Sequence, residues 1–424
     1  MRRLLLSALL AASVSGLYAQ KLDDVQDKIS KGKYDEAKEK IDKILEDPKN
    51  QNNANAWYYK GKVYTELARR DSMGTLNYDA AGQAFDAFKK YQELEPKNTL
   101  MTLDQNVGLF QLYDMYYNRG VQGYNKKDYT TAFNNMKNAV ALEEYISGKG
   151  FSYNNFTFPK LDTQLINLTA SSAYLAKKED ESIPYFQKLT DAKLSGKEYK
   201  EIYGLVAQYY LNKGDQANAD KYLGYGRELY PNDQDYWIGI EFGNPGDDKE
   251  KRLAKYQQMV QKYPDNYALS MDYATELYNY IYANDKKPTD YAQKQQELQS
   301  VLTKTMSLNA NSALANYVMS QQIYNQIYDI EDAQRAIKGN TPAAAAQRKD
   351  NIAKLNAKYD ELAQYSQKAF DLYSAETNMK PQDKANLRRV TDQLIEYYQR
   401  KKQNDKVAFY QDKLKSMKSL QNTY

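Results

Sequence analysis

Residues 203–231 read YGLVAQYYLNKGDQANADKYLGYGRELYP, and the spacing inside this stretch decides the fold. Tyr203, Val206, Ala207 and Tyr210 recur every three or four positions, which places them on one face of a helix. Gly214-Asp215 then makes a turn. Ala219, Leu223 and Gly226 resume the same period on a second helix, which Pro231 stops. Small residues at Ala207, Ala219 and Gly226 let the two helices approach, while larger neighbours fill the groove alongside.

Looser copies of this helix–turn–helix lie on either side. One begins at Trp57, Gly61 and Tyr64 and, after a longer loop near Arg69 to Tyr78, ends with Ala84, Phe88, Tyr91 and Pro96. Another runs through Tyr116, Gly120, Lys127-Asp128-Tyr129, Ala132, Met136 and Ala139, and a further one through Ile166, Ala170, Ala173, Phe186 and Leu189. Trp237 to Gly243 with Tyr256, Met259 and Pro264 form a copy degraded at its turn, and Gly32-Lys33-Tyr34, Ala37, Ile41 and Ile44 read as a second half-unit at the start. Beyond Pro264 the signature fades but helical periodicity continues. Tyr273, Leu277, Tyr278 and Ile281 are answered by Leu298, Val301 and Leu302. Ala315 to Tyr328 pairs with Ala343 to Tyr373, and Leu387, Val390, Leu394 and Tyr397 pair with Val407, Tyr410 and Leu414.

This pattern resembles the tetratricopeptide repeat (TPR), a helix–turn–helix of about 34 residues that opens on Trp and Leu-Gly and closes on Pro. The resemblance is strong over residues 55–264 and covers nearly all of the chain more weakly. It implies an all-α fold, a right-handed α-solenoid of stacked antiparallel helix pairs forming a TPR-like superhelix, in which each hairpin exposes an apolar face until its neighbour covers it. The expected organisation is a signal peptide over 1–19, a TPR solenoid with clear repeats over 20–264, and divergent TPR-like repeats over 265–424 that continue the solenoid.

Composition fits a thin helical array. The 424-residue chain is hydrophilic, with a mean hydropathy of −0.86, yet 42% of its residues are apolar and its 42 Tyr far outnumber 11 Phe and 2 Trp. Tyrosine buries a large ring while its hydroxyl seeks a partner or water, which suits two-layer cores whose side chains lie near the surface. At the N-terminus, Arg2 and Arg3 precede an apolar run from Leu4 to Val14 and small residues, with cleavage expected after Ala19. That run is too short to span a bilayer, so export and a periplasmic location in a Gram-negative envelope are expected. Removing the two arginines lowers the formal net charge from +4 to +2, which points away from nucleic acid.

The chain has no His and no Cys. Ser-His-Asp and Cys-His nucleophile systems, imidazole or thiolate metal sites and an acylated cysteine anchor are therefore excluded, and no phosphate-cradling glycine motif occurs. Carboxylate-pair hydrolysis survives on composition alone, because two acids need only meet in space. The acids are nonetheless scattered at spacings of solvated helix faces, so no enzyme, cofactor or metal is expected.

In the TPR family the first helix of each unit lines a concave groove. Carried onto this sequence, that register implies Tyr58, Lys62, Tyr117, Tyr124, Asn167, Tyr174, Gln208, Trp237 and Glu241 as groove residues. The competing interpretation of the tyrosines, and of Trp57, is packing between repeats. The family's carboxylate clamp is not reproduced, since Gly204 and Gln208 stand where a Lys and an Asn are needed. Residues 148–160 carry Phe151, Tyr153, Phe156 and Phe158 and read either as a cap over a gap between hairpins or as an exposed contact loop. Asp329 to Gln347, with Gly339, Pro342 and the run of four alanines at 343–346, reads as a flexible loop. Residues 380–424 hold eleven Lys/Arg against five Asp/Glu, suited to an acidic partner, to anionic headgroups or simply to a solvated terminal helix. The expected role is a scaffold for protein–protein interactions in a cell-envelope complex serving secretion, outer-membrane assembly or surface machinery. A glycan- or peptidoglycan-binding accessory is the alternative.

Overall fold

A computed structural model of the chain describes residues 21–71, 76–283 and 286–419, and the expected signal segment lies outside them. Among the described residues the named elements are helices, joined only by an isolated bridge between Tyr153 and Phe156. The chain divides into two compact units, Met1–Glu241 and Phe242–Tyr424. The dividing line falls at the end of a helix within the sixth repeat read from the sequence.

The first unit starts with a helix over residues 21–30 (α1) and α2 (Tyr34–Glu46), followed by α3 (Ala54–Arg70) and α4 (Ala80–Leu94). A short α5 (Thr99–Leu103) leads into α6 (Val107–Asn125) and α7 (Tyr129–Gly148). Then come α8 (Thr163–Leu175), α9 (Glu179–Asp191), α10 (Lys200–Asn212), α11 (Gln216–Leu229) and α12 (Gln234–Phe242). Consecutive helices form the hairpins α3/α4, α6/α7, α8/α9 and α10/α11, and each stacks on its neighbour, α7 against α8 and α9 against α10.

Short polar side chains start these helices. Asn53, Asp79, Asp128, Asp162 and Asp215 each accept a hydrogen bond from the backbone N–H three residues on, at 2.8 to 3.4 Å. Each such cap contributes about 0.5–2 kcal/mol. Glycines then set the depth of packing. A methyl group at Gly61 would lie 2.6 Å from the Phe88 ring, and one at Gly108 would lie 2.5 Å from the same ring, so Phe88 of α4 is wedged between α3 and α6.

The second unit holds α13 (Lys249–Lys262), α14 (Tyr267–Tyr282), α15 (Tyr291–Leu308), α16 (Ala313–Ala336), α17 (Pro342–Ser374), α18 (Pro381–Arg400) and α19 (Asn404–Ser419). Its hairpins are α14/α15, α16/α17 and α18/α19, with α13 packed on α14, α15 on α16 and α17 on α18. Tyr273, Tyr359 and Tyr373 are fully buried, yet each hydroxyl has a partner: Glu297, Glu396 at 2.6 Å, and the Asn386 amide at 3.1 Å. The tyrosine-rich composition is thus compatible with a dry core because the layers are thin enough for ring tips to reach polar groups.

One of the sequence expectations changes, and one open pair of readings is decided. Asp329 to Gln347 is not a loop: α16 runs on to Ala336 and α17 begins at Pro342, which leaves 337–341 as the connection. Alanine favours helix strongly, Pro342 sits in the first turn where its missing N–H costs nothing, and the Thr341 hydroxyl accepts from the Ala344 N–H at 3.2 Å. Residues 148–160 prove to be packing. The Phe110 ring stacks on Phe158 at 5.5 Å and meets Tyr153 at 5.6 Å, while Phe156 stays half exposed at the rim.

Candidate functional site

A recess in the first unit lies between α1, α3, α5 and α6. A cavity of about 290 Å³ has a floor that includes Phe88, Met101 and Val107, and polar groups at Tyr58, Lys62, Asp104 and Gln111. A second cavity of about 210 Å³ adjoins it, sharing Ile29, Tyr58, Lys62 and Asp104 and opening past Tyr59, Leu100 and Leu103. Farther along the same two long helices, Arg69, Gln111, Asp114 and Asn118 line a third recess of about 320 Å³. The three form one cleft, with Lys62, Glu66 and Arg69 on α3 facing Gln111, Asp114 and Asn118 on α6.

A Tyr58–Asp104–Lys62 constellation partitions the first two compartments. Lys62 Nζ lies 2.8 Å from Asp104 Oδ2, and the Tyr58 hydroxyl donates to the same oxygen. Burial opposes charge on Asp104, but the hydrogen bonds from Lys62 and Tyr58 outweigh it and hold the carboxyl below its ordinary value. Burial, reinforced by the Asp104 charge, pushes the Tyr58 hydroxyl upward, so it remains a neutral donor.

Asp104 reaches α3 because the chain between α4 and α6 doubles back. Asn98, Gln105 and Asn106 all adopt left-handed backbone conformations, with φ of 53°, 52° and 55°. The Asn98 amide donates to Asn106 Oδ1 at 3.2 Å, and the Leu100 N–H donates to the Tyr91 hydroxyl at 2.8 Å, which fixes the insertion. Asparagine tolerates this conformation better than most residues, so the pair Asn98 and Asn106 was the available sequence signal for a built turn here. Sequence reasoning did not find Asp104, Phe88, Met101 or Gln111 as cleft residues.

Of the nine expected groove residues, Tyr58 and Lys62 come together in the cleft. Tyr117 stacks on Tyr113 at 5.9 Å and Tyr124 packs edge-on to Tyr129 at 5.5 Å, both away from the α6 face that lines the cleft. Asn167 on α8 is half-buried, Tyr174 on the same helix is exposed, and Gln208 on α10 bonds Asn212 at 3.0 Å. Trp237 and Glu241 do not belong to a groove surface. Trp237 has no exposed area, fills the space over Gly226, and donates from Nε1 to the Tyr230 carbonyl at 3.2 Å. Glu241 is 6% exposed and pairs with Arg227 at 2.6 Å. An aromatic ring on a first helix buries where the preceding helix offers a glycine, and a methyl at Gly226 would lie 2.5 Å from the indole.

That glycine–tryptophan interlock joins one hairpin to the next helix, and close glycine contacts of the same kind, Gly61 with Phe88 and Gly120 with Met136, close the α3/α4 and α6/α7 hairpins, in units of the spacing read from residues 203–231. The fold is of the tetratricopeptide-repeat type. No family model matches the sequence, and no curated protein does. Among solved structures, the chain is similar to the P58(IPK) TPR domain at 12% identity, covering 89% of this chain and 98% of that one with a TM-score of 0.26. It is similar to the TPR2AB domain of yeast Sti1, solved as a pHSP90 complex, at 12% identity over 61% of this chain and 98% of that one, TM-score 0.20. Yeast Tom70 aligns at 11% identity over 94% and 91% of the two chains, also at a TM-score of 0.20. At these values the TPR assignment rests on the helix pairs and interlocks within this chain. Among the described residues no helix is long and apolar enough to cross a membrane, and no group of acids is arranged to hold a metal.

Proposed function

We propose that the chain is a protein-binding scaffold, acting in the periplasm within a cell-envelope complex for secretion, outer-membrane assembly or surface machinery, and that the α3/α6 cleft seats a polypeptide segment. The observation that carries this is the cleft itself. Its apolar floor takes a side chain, at about 1.5–3 kcal/mol for a fully buried aliphatic one. Its rim of Lys62, Gln111, Asp114 and Asn118 offers donors and acceptors for an extended backbone.

The charges in the cleft favour binding over catalysis. Two carboxylates line the inner cavity, Glu66 and Asp104, but each is paired, with Arg69 at 2.8 Å and with Lys62 at 2.8 Å. A hydrolytic carboxylate pair needs one acid held protonated near neutrality; Asp104 in the inner cavity is shifted the opposite way, and Asp114, which burial raises, lines the outer recess and not the cavity that Glu66 and Asp104 share. Export rests on the expected signal at 1–19. The test is affinity isolation from the native periplasm followed by mass spectrometry, with Lys62→Glu alongside. A stoichiometric protein partner lost in the variant supports the proposal, whereas recovery of the chain alone, or retention of glycan in place of protein, overturns it.

A further inference from the structure

The second unit carries a donor cluster that no carboxylate of its own satisfies. We propose that Arg389, Tyr317 and Tyr278 form an anion subsite that takes the carboxylate of an acidic polypeptide segment. The proposal shares with the preceding section the premise that the chain holds polypeptide, but it places a ligand on a different unit and different residues.

Arg389, on α18, has an exposed side chain whose Nη1 donates to the Tyr317 hydroxyl of α16 at 2.8 Å. Among the described residues no carboxylate pairs with it. A guanidinium has five N–H donors, so most of its capacity stays open. Several cations of this unit are instead held by carboxylates: Arg252 by Glu276 at 2.7 Å, Lys294 by Glu297 at 2.8 Å and Lys401 by Asp360 at 2.7 Å. Glu396, two turns along α18 from Arg389, is taken by the Tyr324 and Tyr359 hydroxyls at 2.7 and 2.6 Å.

The two tyrosines add donors. Tyr317 is only 7% exposed and accepts from Arg389, so its own proton points to an acceptor that the described residues do not supply. Tyr278, on α14, accepts from the Asn325 amide at 3.2 Å and is left in the same condition. Burial raises the Tyr278 hydroxyl above its ordinary value, with the Arg389 charge pulling against it, so it stays a neutral donor within electrostatic range of the guanidinium. A guanidinium fork bonded to the Tyr317 hydroxyl, with the Tyr278 hydroxyl within electrostatic range, is complementary to an oxyanion, and charge-assisted bonds of this kind are the stronger ones.

The surroundings select a peptide carboxylate over a free ion. On α16, Leu314, three residues before Tyr317, is 39% exposed, and Tyr328, eleven residues after it, is 47% exposed. Apolar surface on both sides of one anion receptor fits a segment that alternates acidic and apolar side chains. A polyanion such as nucleic acid calls for many cations held on one face, and here, among the described residues, Arg389 alone is anchored on a buried tyrosine hydroxyl.

The test is fluorescence anisotropy on the full-length mature chain with a fluorescein-labelled peptide of alternating Glu and Leu, against the same peptide with Gln for Glu. The Glu peptide is expected to bind at least about tenfold tighter at low salt, with Arg389→Gln removing about tenfold and Tyr317→Phe several-fold. Arg388→Gln, an exposed neighbour, and Lys137→Ala, exposed on α7 of the other unit, are expected to leave the affinity unchanged, with circular dichroism verifying the fold of each variant. Equal binding of the Gln peptide, equal loss in Arg388→Gln, or inorganic phosphate alone binding as tightly as the peptide overturns the assignment. Loss in Lys62→Ala with Arg389→Gln silent assigns the peptide to the α3/α6 cleft and removes this subsite while leaving the proposed function intact.

Discussion

Glu143 shows how much one side chain of this array can do. It is 7% exposed on α7, and burial pushes its carboxyl up to about 7, with Asp162 and Glu144 adding repulsion and Lys188 opposing. The folded chain therefore keeps this proton to higher pH than the unfolded chain, whose ordinary value is near 4.5. Stability contributed by the protonated form is present below that value and lost as pH rises through 7. Glu143→Gln is expected to raise stability by about 1–2 kcal/mol at pH 8 and to change little at pH 4, read by urea unfolding at both. Glycine gives a second prediction. Gly226→Ala forces a methyl into the Trp237 ring and is expected to cost about 1–3 kcal/mol, whereas Gly224→Ala, with nothing within 4 Å, is expected to be neutral or to gain up to about 1 kcal/mol. The importance of Gly226 was legible in the sequence, because its spacing from Ala219 and Leu223 put it on the packed face. The identity of its occupant was not, since Trp237 lies beyond Pro231 and the groove register pointed it elsewhere.

At the scale of elements, the hairpins followed from periodicity and caps, and connections were the weak point. The α16–α17 connection reads as nineteen residues because Gly339 and Pro342 look like punctuation, yet Gly339 sits in a five-residue connection and Pro342 already opens the next helix. Hydrogen exchange is expected to show slow amides over Asp329 to Ala336 and over 346–350, with fast exchange confined to the neighbourhood of 337–341. Uniformly fast exchange from 329 to 347 would restore the loop. Thr341→Ala is expected to cost about 1 kcal/mol by removing the cap on Ala344. The aromatic insertion at 148–160 carried an unused signal. Asn154 and Asn155, at φ of 50° and 64°, form the two-residue turn of a tiny hairpin in which Tyr153 and Phe156 exchange hydrogen bonds of 3.1 and 2.8 Å. Asn-Asn between aromatic residues is that turn's chemistry.

At the scale of the molecule, the TPR signature reads clearly in the first unit and fades in the second, where tyrosines and amides replace the small residues that mark the repeat. The helices persist because amphipathic spacing and buried hydroxyl bonds, such as Tyr359 to Glu396, serve the same packing need. The cleft was half legible: α3 gave Tyr58 and Lys62 through register, while Asp104 and Met101 come from an insertion that no repeat pattern contains. The measurement that bears most directly on the central claim is site-specific photo-crosslinking in the native envelope. A benzoylphenylalanine at Gln111, which lines the cleft, is compared with one at Lys137, exposed on α7. The account predicts a discrete protein adduct from position 111, abolished by Lys62→Glu, and none from position 137. Adducts of equal yield from both positions, or none from position 111, would contradict it.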